Sequence, residues 1–163
     1  GDDPVMFFEH KALFGESGEV PDGDYQIPFG QARMVREGGD VTIVACGRMV
    51  SFSEKAADQL AKDGIGCDVI DLRTTSPMDE EAILDSVEVT GRLVVVDEAP
   101  QRCSLATDIS ALVAQKAFAS LKAPIEMVCA PHSQVPFALE LEQAYLPSAA
   151  KIEAAARKVL GYR

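Results

Sequence analysis

Two adjacent carboxylates, Asp97 and Glu98, close the most apolar stretch of the chain, RLVVVDEAP at residues 92–100. Leu93 to Val96 is apolar without alternation, which is typical of a strand covered on both faces in a parallel sheet. Acids that follow such a strand lie where open α/β sheets bind their ligands. The two side chains therefore have two interpretations: they form part of a ligand site, or they have a structural role in which they cap the next loop or pair with a nearby arginine.

Two arginines and a histidine follow other predicted strands. Arg48 and Arg73 can hold an anion through bidentate hydrogen bonds, or they can pair with Asp97 and Glu98 to hold the strand ends together. We favour the pairing. His132 has the side chain of an acid–base group, but a loop or interface role is the simpler interpretation. Arg48, Arg73, Glu98 and His132 are thus the candidate residues for an anion site or an interface at the strand ends.

The remaining chemistry-bearing residues predict no reaction. The four cysteines, at 46, 67, 103 and 129, form no CxxC pair, and the chain has two histidines, so a zinc site is not expected. The sequence contains no Walker lysine loop, no GxGxxG after a strand and no GxSxG elbow. Free thiols buried in a protein of the reducing cytoplasm are the simplest account of the cysteines.

Apolar runs and helical stripes alternate along the chain and predict the elements that position these residues. Strands are expected at 32–37, 41–46, 67–72, 92–100 and 125–130. Helices are expected from Ser51 or Ser53, where a capping box stands, from Ser76-Pro77, across 106–121, and at 148–160. An irregular loop is expected between Pro131 and Pro147. This order predicts a three-layer α/β/α sandwich with a mostly parallel sheet.

The first 30 residues are interpreted as an arm and linker before the main domain at 31–163. Val5–Phe8 predicts a strand because it is short and apolar. The turn-rich segment GESGEVPDGDYQIPFG at 15–30 predicts a linker. A strand separated from the main domain in this way suggests the remnant of a preceding domain.

Composition excludes several classes of partner. The chain carries 26 acidic and 15 basic side chains, a formal net charge of −11. This balance argues against nucleic-acid binding and favours a basic protein partner. No apolar run approaches the roughly 20 residues needed to cross a bilayer.

Five segments together resemble the carboxy-terminal, transketolase-type domain of the beta subunit of thiamine-diphosphate-dependent 2-oxo acid dehydrogenases. They are PVMFFEHKALF (4–14), EVPDGDYQIPFGQARMVREGGDVTIVACGRMV (19–50), DVIDLRTTSPMDEEAIL (68–84), TGRLVVVDEA (90–99) and VPFALELEQAYLPSAAKI (135–152). Pyruvate- and branched-chain-type members usually carry a GFGAE-like turn after the DEA strand, where this chain has RCSLATDI (102–109). With APHSQVPF (130–137), that segment resembles the acetoin dehydrogenase branch.

The resemblance implies an assembly role rather than catalysis for these residues. In the intact cytoplasmic enzyme, thiamine diphosphate and magnesium are held by the alpha subunit and by a pyrimidine-binding domain that precedes this one. The implied partners are an alpha subunit, a second beta subunit and the subunit-binding domain of a dihydrolipoyl acyltransferase. No catalytic, cofactor or metal residue carries over to this chain, and no bound cofactor is expected. Val5–Phe8 would be the last strand of the preceding domain.

Three alternatives to this function remain open at the level of sequence. The chain can belong to a pyruvate or branched-chain enzyme, because substrate-contacting residues lie elsewhere. It can be a small-molecule or anion-binding module that uses the strand ends. It can be a self-contained enzyme, which turnover by the chain alone would reveal.

Overall fold

The computed structural model describes residues 2–162. Within these residues the chain forms five strands and five α-helices, with short 3₁₀ turns at Lys11–Leu13 and Phe118–Ser120. In chain order they are β1 (Arg33–Arg36), β2 (Val41–Ala45), α1 (Arg48–Ala61), β3 (Cys67–Asp71), α2 (Glu80–Thr90), β4 (Leu93–Pro100), α3 (Leu105–Lys116), β5 (Glu126–Ala130), α4 (Leu139–Tyr145) and α5 (Ala149–Leu160).

The five strands form one sheet in the order β1-β3-β2-β4-β5. Neighbours among β2 to β5 are parallel, and the edge strand β1 pairs antiparallel with β3. Strands that alternate with helices need crossovers, and crossovers produce parallel neighbours. The predicted fold class, an α/β sandwich with a mostly parallel sheet, is confirmed.

Helices cover both faces of the sheet, which explains the unbroken apolar run Leu93–Val96 in its central strand β4. Ile43 of β2 faces a core that includes residues of α1 and α5. Its neighbour Val44 faces a second core that includes residues of α2 and α3. Because successive side chains of a strand point to opposite faces, both must be apolar when both faces are buried. The three-layer arrangement therefore follows from the unbroken apolar runs.

Two helices begin at residues other than those predicted. Helix α1 starts at Arg48, not at Ser51 or Ser53, because Gly47 serves as its N-cap with a φ of 57°. Helix α2 starts at Glu80, not at Ser76-Pro77, because the Asp79 side chain accepts a hydrogen bond from the Ala82 backbone N–H. An Asp N-cap followed by two glutamates at a positive helix end is a strong start signal.

The predictions for the arm and for the last loop also need correction. Within residues 2–29 the structure contains no strand, so the strand predicted at Val5–Phe8 is wrong; those side chains are exposed. A lone extended segment without a neighbouring strand has no ladder to join. The loop predicted between Pro131 and Pro147 contains the seven-residue helix α4. No helix in residues 2–162 is long and apolar enough to cross a membrane.

Candidate functional site

The carboxyl ends of β2, β3, β4 and β5 lie along one edge of the sheet, which we call the strand-end edge. After β2 the chain adds β3 on one side of β2, and it then crosses to add β4 on the other side. The direction in which strands are added therefore reverses between β2 and β4. Open α/β sheets bind ligands at such a reversal. Three of the four candidate residues follow β2, β3 and β5, and Glu98 lies near the carboxyl end of β4; each has a different surrounding.

Arg73 pairs with Asp71, the last residue of the strand that it follows. Its guanidinium Nε lies 3.8 Å from the Asp71 carboxylate, and its backbone N–H donates to Asp71 Oδ1 at 3.2 Å. Burial raises the pKa of Asp71, and the Arg73 N–H and charge offset part of that rise. Both residues line a cavity of about 390 Å³ with Phe29 and Cys46. The predicted pairing of Arg73 with Asp97 or Glu98 is not formed.

Glu98 contacts the N-terminal arm. Its carboxylate Oε2 lies 2.8 Å from His10 Nε2. His10 Nδ1 accepts a hydrogen bond from the backbone N–H of Ala12 at 3.2 Å, so Nε2 is the nitrogen that donates to Glu98. Glu98 therefore fixes the arm against the strand-end edge instead of facing an arginine.

The Asp97 carboxylate accepts hydrogen bonds from nearby backbone N–H groups. Its Oδ1 accepts from the Ala99 N–H at 3.0 Å, and its Oδ2 accepts from the Ala106 N–H, in the first turn of α3, at 3.3 Å. The carboxylate thus caps the following loop and helix, one of the two interpretations that the sequence allowed. Each of its oxygens accepts one backbone N–H, so the side chain has a structural role.

Arg48 and His132 lie apart from these contacts. The Arg48 guanidinium carbon lies 5.0 Å from the centre of the Phe52 ring, a cation–π contact between residues one turn apart on α1. His132 is exposed in the loop after β5. The strand-end edge therefore does not bring Arg48, Arg73, Glu98 and His132 together into one site.

Two cysteines at the same edge are poor nucleophiles. Burial raises the pKa of Cys46, and the Asp71 and Asp97 carboxylates raise it further. Burial and the Asp97 charge raise the pKa of Cys129 to about 11. Since the thiolate is the reactive form, both groups stay protonated and unreactive at neutral pH. All four cysteines are free thiols.

The residues at this edge do not fit thiamine diphosphate with magnesium. Magnesium takes oxygen ligands in octahedral geometry, usually from carboxylates and phosphate. Among residues 2–162, no group of three or more His, Cys, Asp or Glu side chains could hold a metal ion. Asp97 is occupied by backbone N–H groups, and Asp71 is paired with Arg73. We therefore assign no step of a thiamine reaction to this chain.

Comparison with known sequences identifies the fold family. The profile of the transketolase C-terminal domain matches residues 30–152. The chain belongs to the transketolase C-terminal domain family. Within it, the chain is 61% identical over 158 residues to the beta subunit of the acetoin:2,6-dichlorophenolindophenol oxidoreductase of Cupriavidus necator, covering 97% of this chain and 47% of that one. The corresponding Bacillus subtilis subunit is 50% identical, over 98% of this chain and 46% of its own length.

The chain is also similar to a pyruvate dehydrogenase subunit and to a solved transketolase structure. The beta subunit of the pyruvate dehydrogenase E1 component of Bacillus subtilis is 44% identical, over 98% of this chain and 49% of that one. A solved structure described as a split-gene transketolase in an inactive β4 tetramer superimposes with a TM-score of 0.75 at 28% identity. It covers 89% of this chain and 46% of that one. The chain thus spans about half the length of the relatives it matches.

The sequence predicted which residues lie near the strand ends but not the contacts that they make there. Helix α1 begins after Gly47, since only glycine takes its positive φ without strain, whereas the capping-box spacing at Ser51 predicts a later start. A helix that starts at Arg48 places that residue one turn before Phe52 and predicts their stacking. The contact between His10 and Glu98 joins residues 88 positions apart, and no local pattern predicts it.

Proposed function

We propose that this chain is the C-terminal assembly domain of the beta subunit of a thiamine-diphosphate-dependent acetoin dehydrogenase. The observation that carries the proposal is the order of the identities over nearly the whole chain. They are 61% and 50% with two acetoin oxidoreductase beta subunits, and 44% with a pyruvate dehydrogenase beta subunit. In this proposal, residues 1–30 are the end of the preceding pyrimidine-binding domain and its linker.

The chemistry of the strand-end edge supports an assembly role. Its carboxylates are used by backbone N–H groups, the arm and Arg73, and its thiols Cys46 and Cys129 stay protonated. When bound in the intact enzyme, thiamine diphosphate would supply the carbanion that cleaves the bond beside a carbonyl, while protein groups orient the substrate. The residues of this chain would position the other subunits rather than the reacting atoms.

Exposed apolar side chains supply surfaces for that association. Phe137 is fully exposed just before α4. Val135 before it, and Leu139 and Leu141 in α4, are also exposed. Contiguous exposed apolar surface marks association sites on soluble proteins. We infer that this segment and the exposed apolar residues of the arm contact the alpha subunit or a second beta subunit. The split-gene transketolase relative is itself described as a β4 tetramer.

The net charge of −11 supports docking of a basic domain. We infer that the subunit-binding domain of a dihydrolipoyl acyltransferase docks on this domain, because complementary charge speeds encounter. Binding should weaken as salt screens the charges. Equal affinity at low and high salt would contradict an electrostatic docking mode. Cytoplasmic location belongs to the same proposal.

A chimera tests the acetoin assignment directly. The matched residues of the Cupriavidus necator beta subunit are replaced by this chain, and the product is expressed with its alpha subunit. We expect the subunits to co-purify and to reduce 2,6-dichlorophenolindophenol with acetoin. The equivalent chimera in the Bacillus subtilis pyruvate dehydrogenase beta subunit should assemble less well. Better assembly in the pyruvate enzyme would favour a pyruvate-type or branched-chain-type subunit instead.

Two controls separate assembly from folding and from cofactor binding. Phe137→Asp in the chimera should lower co-purification of the subunits. Val89→Asp, which changes an exposed apolar residue of α2 outside the proposed contact surface, should not lower it. Titration of thiamine diphosphate with magnesium into the isolated chain should give no saturable heat. Saturable binding would contradict an assembly role without a cofactor site.

A further inference from the structure

Arg48 opens onto a cavity that the proposed function does not use. The cavity has a volume of about 310 Å³ and lies between α1 and the connection from α4 to α5. Its volume is at the lower end of the range for small-molecule sites, about 300–1,000 Å³. Its lining consists of Arg48, Phe52, Gln143, Leu146, Pro147 and Ser148.

The charge of this cavity is opposite to that of the whole chain. None of the ion pairs formed within residues 2–162 includes Arg48, and no carboxylate lines the cavity. The cavity of Arg73, by contrast, contains Asp71, which pairs with it. A half-buried guanidinium without a carboxylate partner is unusual in a chain of net charge −11, because opposite charges are abundant.

Two lysines add to the positive potential around the cavity. Lys55 Nζ lies 5.5 Å from the centre of the Phe52 ring that Arg48 also contacts. Lys151 Nζ donates to the carbonyl oxygen of Leu146 at 2.8 Å and to that of Ala144 at 2.7 Å. Clefts lined by one sign of charge concentrate ligands of the opposite sign.

The N-termini of two helices add further positive potential near the cavity. Helix α1 begins at Arg48 and helix α5 begins at Ala149, directly after Ser148, and neither has an acidic residue in its first turn. Helix α2, for comparison, carries Glu80 and Glu81 there. The partial positive charge of the α1 and α5 N-termini is therefore not neutralised by a local acid.

Hydrogen-bond donors on the lining suit an oxyanion. The Arg48 guanidinium offers a planar fork of N–H groups that matches carboxylate and phosphate oxygens. The Ser148 Oγ accepts from the Lys151 backbone N–H at 3.3 Å, so its hydroxyl proton remains free to donate. The Gln143 amide supplies further N–H groups. Phe52, Leu146 and Pro147 give the rest of the wall an apolar character.

We propose that this cavity binds a small organic oxyanion, a molecule with a carboxylate or phosphate head and an apolar body. The head contacts Arg48 and Ser148, and the body packs against Phe52 and Leu146. The charged head supplies most of the affinity, because charge-assisted bidentate bonds are stronger than neutral ones. This site is independent of the thiamine chemistry proposed for the intact enzyme.

Three probes distinguish the chemistry of the head group. Benzoate and phenyl phosphate carry the two oxyanions on the same ring, and benzamide is the neutral counterpart. Each is titrated into the ¹⁵N-labelled 163-residue chain and followed by amide chemical shifts. Saturable shifts at residues 48 and 148 with benzoate, phenyl phosphate or both support the site and identify the head. Saturation by neither oxyanion, or equal binding of benzamide, overturns the proposal.

Matched arginine variants locate the binding. Arg48→Gln should weaken the affinity for the bound oxyanion about 10-fold to 100-fold, whereas Arg73→Gln, in the other cavity, should leave it unchanged. Arg48→Lys keeps the charge but loses the fork, and should weaken affinity by a smaller factor. Thermal melting verifies that each variant is folded. Unchanged affinity in both Arg48→Gln and Arg48→Lys, or an equal loss in Arg73→Gln, would refute the assignment.

Discussion

Replacing Thr42 by valine should destabilise the domain although the two side chains have the same shape. Thr42 Oγ1 lies 2.7 Å from Ser86 Oγ and 2.8 Å from Thr90 Oγ1, and all three hydroxyls are buried between β2 and α2. Ser86 donates to the Asp68 carboxylate at 2.7 Å. The carboxylate also accepts the backbone N–H groups of Gly38 and Gly39.

Counting protons fixes the direction of this chain of hydrogen bonds. The single Ser86 proton goes to Asp68, so Thr42 must donate to Ser86, and Thr90 must donate to Thr42. Thr90 in turn accepts the backbone N–H of Arg92 at 3.3 Å. Valine at position 42 removes the middle link and leaves Ser86 without its donor, whereas the Thr90 hydroxyl can donate instead to the Arg92 carbonyl oxygen, 3.2 Å away.

The expected cost is about 2 kcal/mol in the free energy of unfolding, because a buried polar group that loses its partner costs about 1–3 kcal/mol. For a domain of this size the melting temperature should fall by about 4–8 °C. Urea unfolding measures the change, and Thr75→Val at an exposed position is the matched control. Asp68→Asn tests the direction: its amide can donate to Ser86 and reverse the chain, so it should cost less than Asp68→Ala.

A double-mutant cycle decides whether the hydroxyls act as one network. Thr42→Val and Ser86→Ala together should cost less than the sum of the single changes, with a coupling of about 0.5–3 kcal/mol. Full additivity, or a Thr42→Val variant as stable as the wild type, would refute the chain of hydrogen bonds as described.

Three further predictions concern the core and its thiols. Val95→Asp should abolish the cooperative thermal transition, because Val95 is 1% exposed and an unpaired buried charge costs several kcal/mol; a folded variant would show that β4 is not central. Gly38→Ala should be destabilising, since a Cβ there would overlap the Cys67 backbone N, whereas Gly18→Ala meets nothing within 4 Å and should be neutral by the same melting assay. Burial raises the pKa of Cys67 from 9.0 to about 11, so as pH rises through this window the unfolded chain loses its proton first and stability should fall. Cys67→Ala should flatten that decline in urea titrations between pH 9 and 11, and an unchanged slope would contradict the assignment to Cys67.

The fold was predictable because each central strand is buried on both faces. An unbroken apolar run such as Leu93–Val96 has one simple explanation, a strand between two helical layers. The helix starts were harder, because they depend on which of several capping signals the backbone uses. Helix α1 has Gly47 as its N-cap and starts before Ser51, and helix α2 has Asp79 as its N-cap and starts after Ser76.

The contacts on the strand-end edge were predictable only in part. The capping role of Asp97 was predictable because this residue directly follows the apolar run of β4. The partner of Glu98 did not, because His10 lies in an arm whose path depends on the whole fold. The partner of Arg73 is a residue of its own strand, Asp71, and distance along the chain favours that choice over Asp97.

These contacts explain why a domain with the usual ligand-binding edge lacks reactive groups there. A general base or nucleophile needs an accessible group with its proton or lone pair free. Both carboxylate oxygens of Asp97 accept hydrogen bonds from backbone N–H groups, and burial next to carboxylates keeps the Cys46 thiol protonated. Arg48 differs, because its guanidinium is bound to no carboxylate within residues 2–162 and lines a cavity. An arginine cannot donate its proton in a reaction, so the role that we propose for Arg48 is recognition of an anion.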